Sequence, residues 1–274
     1  MNKRVNFSVG AVEFAHSAFE SLSEKSDGNH MHDSYEILYI AKGKGRCLIE
    51  GAELEIKPGM LFFVKPFKYH SLELSSDSPS ERYVVKFNLA SVVKDALPAF
   101  ERLIDRSELD SGRLFSYGPV PASIVSALDK FEMAQSVPEK ERPIYVKLIL
   151  SELLLLLGAE EGAKITQTKD ELGARVIKYI NECLDKDVSL DTIAKRFFVS
   201  KYYLCRSFKR YSGVSVHSYI NHKRIMYAKQ LIEAGETAAS AAYKVGFGDY
   251  SAFYRTHLRI LGVPPSQQSK KKNS

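Results

Sequence analysis

Cysteine is scarce in this sequence, and its scarcity excludes several kinds of protein. Only three cysteines occur among the 274 residues, Cys47, Cys183 and Cys205, and they lie far apart. An odd number of cysteines at wide spacing predicts neither a disulfide framework nor a zinc finger. We therefore expect a reducing environment and, with it, a cytoplasmic location.

Long apolar runs are also missing. Residues 1–14 begin with basic side chains but contain no apolar core of a signal peptide. The most apolar segment, residues 144–158, carries Lys147 and Glu152. It is also shorter than the roughly 20 apolar residues that a membrane-spanning helix needs. This segment predicts a buried amphipathic helix, and we expect no membrane association.

The charge that is present is unevenly distributed. Residues 173–274 contain 18 Lys and Arg against 7 Asp and Glu, whereas residues 1–172 contain 21 against 26. A basic C-terminal part joined to a mildly acidic N-terminal part favours a polyanion such as DNA as the C-terminal partner. A solvated basic surface would give the same counts, so charge alone does not decide between them.

Residues 35–88 have the pattern of a β-domain. Six short segments rich in β-branched and aromatic residues alternate with turn sequences such as AKGKG at 41–45 and KPGM at 57–60. Closely spaced short strands are typical of a small barrel or sandwich. We assign residues 1–90 to this domain.

The periodicity changes after Asn88. Apolar residues at three- and four-residue spacing predict helices over 91–158, and a polar segment poor in aromatics predicts a linker over 159–171. Short helices with tight turns follow over 172–274. The predicted fold class is therefore α+β and multidomain, with an N-terminal β-barrel, a helical segment and an all-α C-terminal domain.

The C-terminal domain contains a weak internal repeat. The two copies span about 190–214 and 240–263, and Arg206 matches Arg255 at an offset of 49 residues. Each copy consists of a short helix, a turn and a second helix, which is the pattern of a helix-turn-helix unit. The repeat therefore predicts two such units.

The second helix of each copy has a predicted N-cap, Ser200 or Asp249, and two distinct faces. Helical spacing predicts that Leu204, Phe208 and Tyr211 in the first copy, and Phe253, His257 and Ile260 in the second, point into the core. The opposite faces mix Arg, Lys, Tyr and Ser, which suits base edges and phosphates in a major groove. The predicted DNA-contacting residues are Lys201, Tyr202, Cys205, Arg206 and Lys209 in the first copy and Tyr250, Ser251, Tyr254 and Arg255 in the second.

Residues 216–234 between the copies predict one helix, which would be about 28 Å long. A helix of that length could separate two recognition helices by about one turn of DNA, roughly 34 Å. Both helices could then enter successive major grooves on one face of the duplex.

Residues 172–268 resemble the DNA-binding domain of the AraC/XylS family of regulators. The second copy carries the motif A-x-x-V-G-F-x-D from Ala242, with Phe and Arg four and six residues after the Asp. The sequence departs from the family pattern at Phe198, where a turn glycine is usual, at His257, where Phe is usual, and at Gln268, where Tyr is usual. We interpret His257 as a core histidine. The resemblance implies base-reading roles for Tyr202, Cys205, Arg206, Ser251, Tyr254 and Arg255.

The segment from His30 to Gly43 resembles the first motif of cupin barrels, in which H-x-H, Glu and Gly recur. His32 and Glu36 complete this motif, and a looser second motif supplies His70. In AraC-type regulators such a barrel usually marks the effector-binding domain.

Two functions are compatible with these four residues. Imidazole and carboxylate groups suit a divalent transition metal, as in a metal-dependent cupin enzyme with a helical tail. Alternatively, they are structural or line a pocket for a small molecule. The motif lacks its leading glycine, and a barrel joined to a DNA-binding domain favours a sensor. We therefore predict an effector site for a sugar or related metabolite, with no metal, no cofactor and no catalysis.

The apolar helix predicted over 144–155 could support a dimer. Two sets of apolar residues, Ile144, Leu148 and Leu155 and also Val146, Leu150 and Leu153, could bury against a second subunit or within the chain. The sequence thus predicts a homodimeric regulator that binds specific sites on double-stranded DNA. We expect activation through RNA polymerase, although the sequence leaves repression open.

Overall fold

The computed structural model describes residues 2–20, 28–50, 52–107, 115–117, 119–159 and 172–268. The chain divides into two compact units, 1–168 and 169–274. All of the predicted linker 159–171 except its first residue lies outside the described residues. The exact limits of the predicted domains therefore remain predictions.

The first unit is built on antiparallel strands that form two sheets in its described part. The larger sheet has the order β1-β2-β8-β3-β6-β9, and the smaller has the order β5-β4-β7. The strands are β1 (Lys3–Val9), β2 (Val12–Phe19), β3 (Tyr35–Lys42), β4 (Gly45–Ile49), β5 (Ala52–Ile56), β6 (Leu61–Val64), β7 (His70–Leu74), β8 (Ser80–Phe87) and β9 (Phe115–Tyr117).

Strand β3 lies between two apolar cores because alternate side chains of a strand point to opposite faces. Ile37 and Tyr39 belong to a core shared with the helices of this unit. Leu38 and Ile40 belong to a second core that also contains side chains from the smaller sheet. By alternation Glu36 lies on the face of Leu38 and Ile40, so a carboxylate is directed towards the region between the sheets.

Three α-helices follow β8 in the described part of this unit, with β9 between the first two: α1 (Leu97–Ser107), α2 (Ala122–Met133) and α3 (Arg142–Ala159). Their apolar faces complete the core on the Ile37 side of the large sheet. Val146, Leu150 and Leu153 of α3 are buried there, with exposures of 1%, 0% and 0%. In the part of the chain that the structure describes, no helix is long and apolar enough to cross a membrane.

The second unit is helical throughout its described residues. Its helices are α4 (Leu172–Glu182), α5 (Leu190–Arg196), α6 (Lys201–Ser212), α7 (Val216–Glu233), α8 (Ala238–Lys244), α9 (Tyr250–Leu261) and α10 (Pro265–Gln268).

The fold class predicted from the sequence is confirmed: a β-sheet domain precedes a helical C-terminal region. All six strands predicted within 35–88 are present, whereas β1, β2 and β9 were not predicted. β9 lies in the segment predicted to be helical, and its Phe115 pairs with Phe63 of β6. A three-residue strand is too short to produce a detectable hydrophobic period, so only its pairing partner identifies it.

Candidate nucleic-acid interface and histidine cluster

The first helix-turn-helix unit consists of α5 and α6, and side-chain caps fix where both helices begin. Ser189 accepts a hydrogen bond from the backbone N–H of Thr192, and Ser200 accepts one from Tyr203 at 3.2 Å. Each cap satisfies an N–H group that has no partner within the helix. α6 ends where Gly213 adopts a left-handed conformation with φ of 76°.

The second unit, α8 and α9, repeats this arrangement. Thr237 caps α8, and the carboxylate of Asp249 accepts a hydrogen bond from the Ala252 N–H at 2.7 Å. α9 ends at Gly262, also left-handed, with φ of 69°. Both N-caps predicted for the second helices are therefore confirmed, and the sequence repeat corresponds to a structural repeat.

The inward faces of α6 and α9 lie as predicted, with one exception. Leu204, Phe208, Phe253 and His257 are fully buried and Tyr211 is 9% exposed, whereas Ile260 is half-buried. On the outward faces Cys205 is half-buried, and the other predicted contact residues are exposed: Lys201, Tyr202, Arg206, Lys209, Tyr250, Ser251, Tyr254 and Arg255. Two exposed helix faces with matched arginines are thus available.

Helix α7 joins the two helix-turn-helix units and contacts helices of both. Ser215 caps its start, and Ile225, Ala228 and Ile232 share a core with Ala241 and Phe253. The helix has 18 residues, or about 27 Å at 1.5 Å per residue. One helix in place of a loop limits how far the two units can move relative to each other.

The histidine cluster, defined as His30, His32, Glu36 and His70, forms in the first unit. One candidate ligand atom from each residue lies within 4.8 Å of all the others. His30 and His70 are joined by a pair of antiparallel backbone hydrogen bonds of 2.9 Å each. His32 Nε2 lies 2.7 Å from Glu36 Oε2, and His70 Nε2 lies 3.4 Å from the same oxygen. The four side chains thus lie together, whereas their predicted role in effector binding stays a prediction.

Each imidazole in the cluster is held through its other ring nitrogen. The Nδ1 atoms of His30, His32 and His70 lie 3.0, 3.0 and 2.8 Å from the backbone carbonyl oxygens of Gly28, Ser34 and Lys68. A carbonyl oxygen can only accept, so each Nδ1 donates. Nε2 is therefore the atom through which each ring could bind a ligand, and Nε2 of His32 already contacts the Glu36 carboxylate.

Glu36 is the buried anion of the cluster. Burial raises the pKa of Glu36. The two imidazoles that contact it and the positive charge of Lys86 together lower this pKa by a larger amount, so it lies well below its ordinary value. Lys86 Nζ is 3.5 Å from Glu36 Oε2. The pKa of His30 is lowered, first by burial and then by the nearby charges of His70 and Lys86. The cluster thus combines an ionised carboxylate with a histidine that favours its neutral form.

Two family profiles match separate segments of the chain. The AraC-like ligand binding domain matches residues 20–110, and the helix-turn-helix domain matches residues 193–271. The chain belongs to the AraC family of transcriptional regulators. It is a DNA-binding regulator with a ligand-binding domain and not an enzyme, so the alternative of a metal-dependent cupin enzyme is not supported.

Individual relatives of this AraC-family chain are distant. It is 24% identical over 255 residues to the HTH-type transcriptional activator RhaS of an Enterobacter species, covering 90% of this chain and 88% of the relative. It is 25% identical over 245 residues to the HTH-type transcriptional regulator YbfI of Bacillus subtilis, covering 85% and 83%. Among solved structures, ToxT from Vibrio cholerae aligns with a TM-score of 0.42 at 15% identity, covering 96% of this chain and 99% of ToxT.

The N-terminal unit, residues 1–168, also contains a cavity that was not predicted from the sequence. It has a volume of about 510 Å³ and lies against strands β1, β2 and β8. Volumes of about 300–1,000 Å³ are usual for small-molecule sites. Its lining combines charged groups with small polar ones and includes Arg4, Asn6, Glu13, Ser17, Arg82 and Lys86. Because Lys86 also approaches Glu36, it connects the cavity with the histidine cluster.

A signal for β1 and β2 is present in the sequence. In residues 3–19 apolar side chains alternate with polar ones on both sides of the turn at Gly10. The two strands pair without a break, from Lys3 opposite Ala18 to Val9 opposite Val12. Polar positions of this hairpin supply five of the eleven residues that line the cavity. The alternation of apolar and polar residues before Tyr35 therefore predicts β1 and β2. Their position beside β8 depends on pairing between residues that are distant in the sequence.

Proposed function

We propose that the two recognition helices α6 and α9 read DNA bases with the residues predicted from the sequence. The observation that carries this proposal is the matched exposure of Arg206 and Arg255 at equivalent positions of two capped helices. Arginine can donate two hydrogen bonds to guanine in the major groove. We assign Lys201 to phosphate contact rather than base reading, because lysine binds phosphates as a point charge. Its ion pair of 3.0 Å with Asp191 would open on DNA binding.

Alanine substitutions test the DNA-reading proposal. Arg206→Ala and Arg255→Ala should each weaken operator binding by about 1–3 kcal/mol and relax the base preference at one position. Lys209→Ala should weaken binding to all sequences alike and reduce its salt dependence. Arg102→Ala, an exposed arginine on α1, is the matched control. Fluorescence anisotropy showing unchanged operator affinity for both helix variants would overturn the assignment.

The ligand-binding domain responds to a small polar metabolite, with a sugar or a sugar derivative as our specific hypothesis. The size of the cavity beside β1, β2 and β8, together with its amide, hydroxyl and charged groups, supports this proposal. Such groups can pair with several ligand hydroxyls, which a wholly apolar pocket cannot do. The histidine cluster lies at Lys86, on the border of this site.

A thermal-shift screen tests the effector proposal, because a ligand that binds only the folded state raises the melting temperature. Neutral sugars, sugar acids and sugar phosphates form its three arms. Arg82→Met should abolish the shift, whereas Arg46→Met, on a strand that does not line the cavity, should preserve it. A shift that survives Arg82→Met would place the effector elsewhere.

Dimerisation would use the outer face of α3. Ile144, Leu148 and Leu155 are 62%, 58% and 49% exposed, whereas the second predicted set is buried in the monomer. The structure thus leaves one of the two sets free for a partner subunit. Two linked DNA-binding domains would raise the effective concentration of the second once the first had bound.

The oligomeric state checks this hypothesis directly. Leu148→Lys together with Leu155→Lys should yield monomers with an unchanged circular dichroism spectrum. Sedimentation that finds the wild type already monomeric at micromolar concentration would remove the proposal. We propose that a homodimer of this kind activates transcription through RNA polymerase; the RhaS relative is named as a transcriptional activator, which supports activation. In vitro transcription with and without the effector would distinguish activation from repression.

A further inference from the structure

We infer that the histidine cluster binds one divalent first-row transition-metal ion. The inference goes beyond the proposed function, since it depends neither on DNA reading nor on a sugar effector. It also competes with our sequence-based prediction that these residues hold no metal. One measurement, described below, separates the two.

The spacing of the donor atoms is close to that of a metal site. Metal–nitrogen and metal–oxygen bonds of about 2.0–2.2 Å allow two ligand atoms on one ion to lie at most about 4.4 Å apart. The four candidate ligand atoms here lie within 4.8 Å of one another. Small side-chain rotations would therefore close the site, and the backbone bonds between His30 and His70 would be kept.

The hydrogen bonds around the rings fit a metal site as well. All three Nδ1 atoms donate to backbone carbonyl oxygens, which fixes the ring orientation. Histidines that bind metals almost always donate their second ring N–H in this way, because the bond sets the tautomer and makes the ligating nitrogen more basic. Three independent backbone carbonyls meet this requirement here.

One ring nitrogen of the cluster lacks a hydrogen bond. His70 Nε2 is buried and has no hydrogen-bond partner of good geometry among the described residues. Buried polar atoms of folded proteins are nearly always satisfied, so such an atom points to a missing partner. In the neutral tautomer this nitrogen carries a lone pair, and a cation between it and the Glu36 carboxylate would satisfy both groups.

The donor set indicates which ions fit. Three imidazoles and a carboxylate suit zinc, iron, manganese, nickel or cobalt, whereas magnesium and calcium prefer an all-oxygen environment. The nearby thiol of Cys47 is not a ligand candidate, because burial raises its pKa to about 12 and keeps it protonated.

Apart from the histidines, Lys86 is the one positive side chain that forms an ion pair with Glu36 among the described residues. Its side chain is 28% exposed and borders the cavity, so the ammonium group can move away from Glu36 when an ion enters. Lys86→Met would remove this competing charge without removing a ligand. This variant should therefore bind the metal at least as tightly as the wild type.

Metal content of the purified full-length chain is the primary test. The protein is incubated separately with Zn²⁺, Ni²⁺, Mn²⁺ and Co²⁺, freed of unbound ion and examined by elemental analysis. We expect about one equivalent per chain for at least one of these ions, and less than about one tenth for His32→Ala and Glu36→Gln. His217→Ala, which removes an exposed histidine of the other unit, is the matched control and should keep the full content.

Two further readouts guard against loss of metal through misfolding. Circular dichroism must show that His32→Ala and Glu36→Gln are folded, and the bound ion should raise the melting temperature of the wild type but not of these variants. Bound Co²⁺ should give visible absorption bands typical of mixed nitrogen and oxygen ligands. About one tenth of an equivalent or less in the wild type with every ion would overturn the inference. Equal loss in His217→Ala would overturn it too, by showing adventitious binding to surface histidines.

Discussion

The two helix-turn-helix units have the same backbone conformation in their turns but carry different residues at the equivalent turn position. The turn residue is Phe198 in the first unit and Gly246 in the second, and both have positive φ values, 54° and 88°. The surrounding hydrogen bonds match: Val199 N–H donates to Ala194 and Phe247 N–H donates to Ala242, each at 3.0 Å. The left-handed turn is therefore a property of the motif, independent of the residue that occupies it.

The surroundings explain why only one unit requires glycine. Phe198 is 95% exposed, so its side chain meets little besides solvent. A Cβ atom at Gly246 would lie 2.7 Å from Nη2 of Arg224 and 3.0 Å from the carbonyl oxygen of Leu184. Arg224 itself donates to the Leu184 and Lys186 carbonyls. The second turn is thus packed against the arginine of α7 that binds the loop after α4, whereas the first turn is open.

A second difference lies in the helix cores. At an offset of 49 residues the buried Phe208 of α6 corresponds to His257 of α9, and both are fully buried. Phe208 contacts the ring of Tyr219, whereas His257 Nδ1 donates to the Val263 carbonyl at 2.8 Å. His257 Nε2 is buried without a hydrogen-bond partner in the described structure. The comparison teaches that equivalent positions accept different side chains when the local partner changes, at the cost of pH sensitivity or backbone strain.

The largest expected effect comes from filling the tight turn. Gly246→Ala should lower the free energy of unfolding by about 2–4 kcal/mol, because it combines left-handed strain with displacement of the Arg224 hydrogen bonds. Gly248→Ala in the same segment meets no atom within 4 Å and is the matched control. It should change stability by less than about 0.5 kcal/mol. Calorimetry of the full chain measures both, and equal effects would contradict the packing explanation.

Exchanging the core aromatic residues should transfer acid sensitivity between the units. Burial, and to a lesser degree the charge of Lys229, lowers the pKa of His257 below its ordinary 6.5, although the Val263 carbonyl acts in the opposite direction. Its stabilising contribution is therefore complete above pH 6.5 and is lost as the pH falls from 6.5 towards the lower folded value. His257→Phe should thus lose less stability on acidification than the wild type.

The reciprocal change sharpens this comparison. Phe208→His should cost about 1–3 kcal/mol at neutral pH, because it buries an imidazole beside Tyr219 without the acceptor that Val263 gives His257. It should also make the acid loss steeper. Melting temperatures over a pH series, with His222 unchanged in both variants as a second histidine of lowered pKa, separate the two effects. Parallel pH profiles for the wild type and His257→Phe would rule out His257 as a source of acid sensitivity.

The smallest expected effect is a gain in stability at the open turn. Phe198→Gly should stabilise the fold by about 0.5–1 kcal/mol, since relief of left-handed strain exceeds the added backbone entropy of glycine. Phe198→Ala keeps the strain and should leave stability nearly unchanged. Denaturation midpoints of the two variants provide the check. A loss of stability in Phe198→Gly would mean that the exposed ring stabilises the turn.

Sequence patterns predicted most of the C-terminal unit, residues 169–274, because its helices are specified by residues close to one another in the sequence. Caps such as Ser200 and Asp249 and the spacing of Leu204 and Phe208 set helix starts and buried faces within a few residues. The N-terminal unit, residues 1–168, was harder to predict from the sequence. The pairing of β2 with β8 and of β9 with β6 depends on contacts between residues that are distant in the sequence. The cavity lining could not be predicted for the same reason.

The sequence by itself determined the two helix-turn-helix units and the six central strands, because spacing along a strand or helix fixes which side chains share a face. Only the tertiary structure decided which face of α3 is buried, how His70 comes to lie beside His30 and why Gly246 cannot carry a side chain. These features depend on contacts such as that of Arg224 with the Leu184 carbonyl, which joins segments distant in the sequence. Periodicity assigns a side chain to a face, but packing alone selects the atom that it meets.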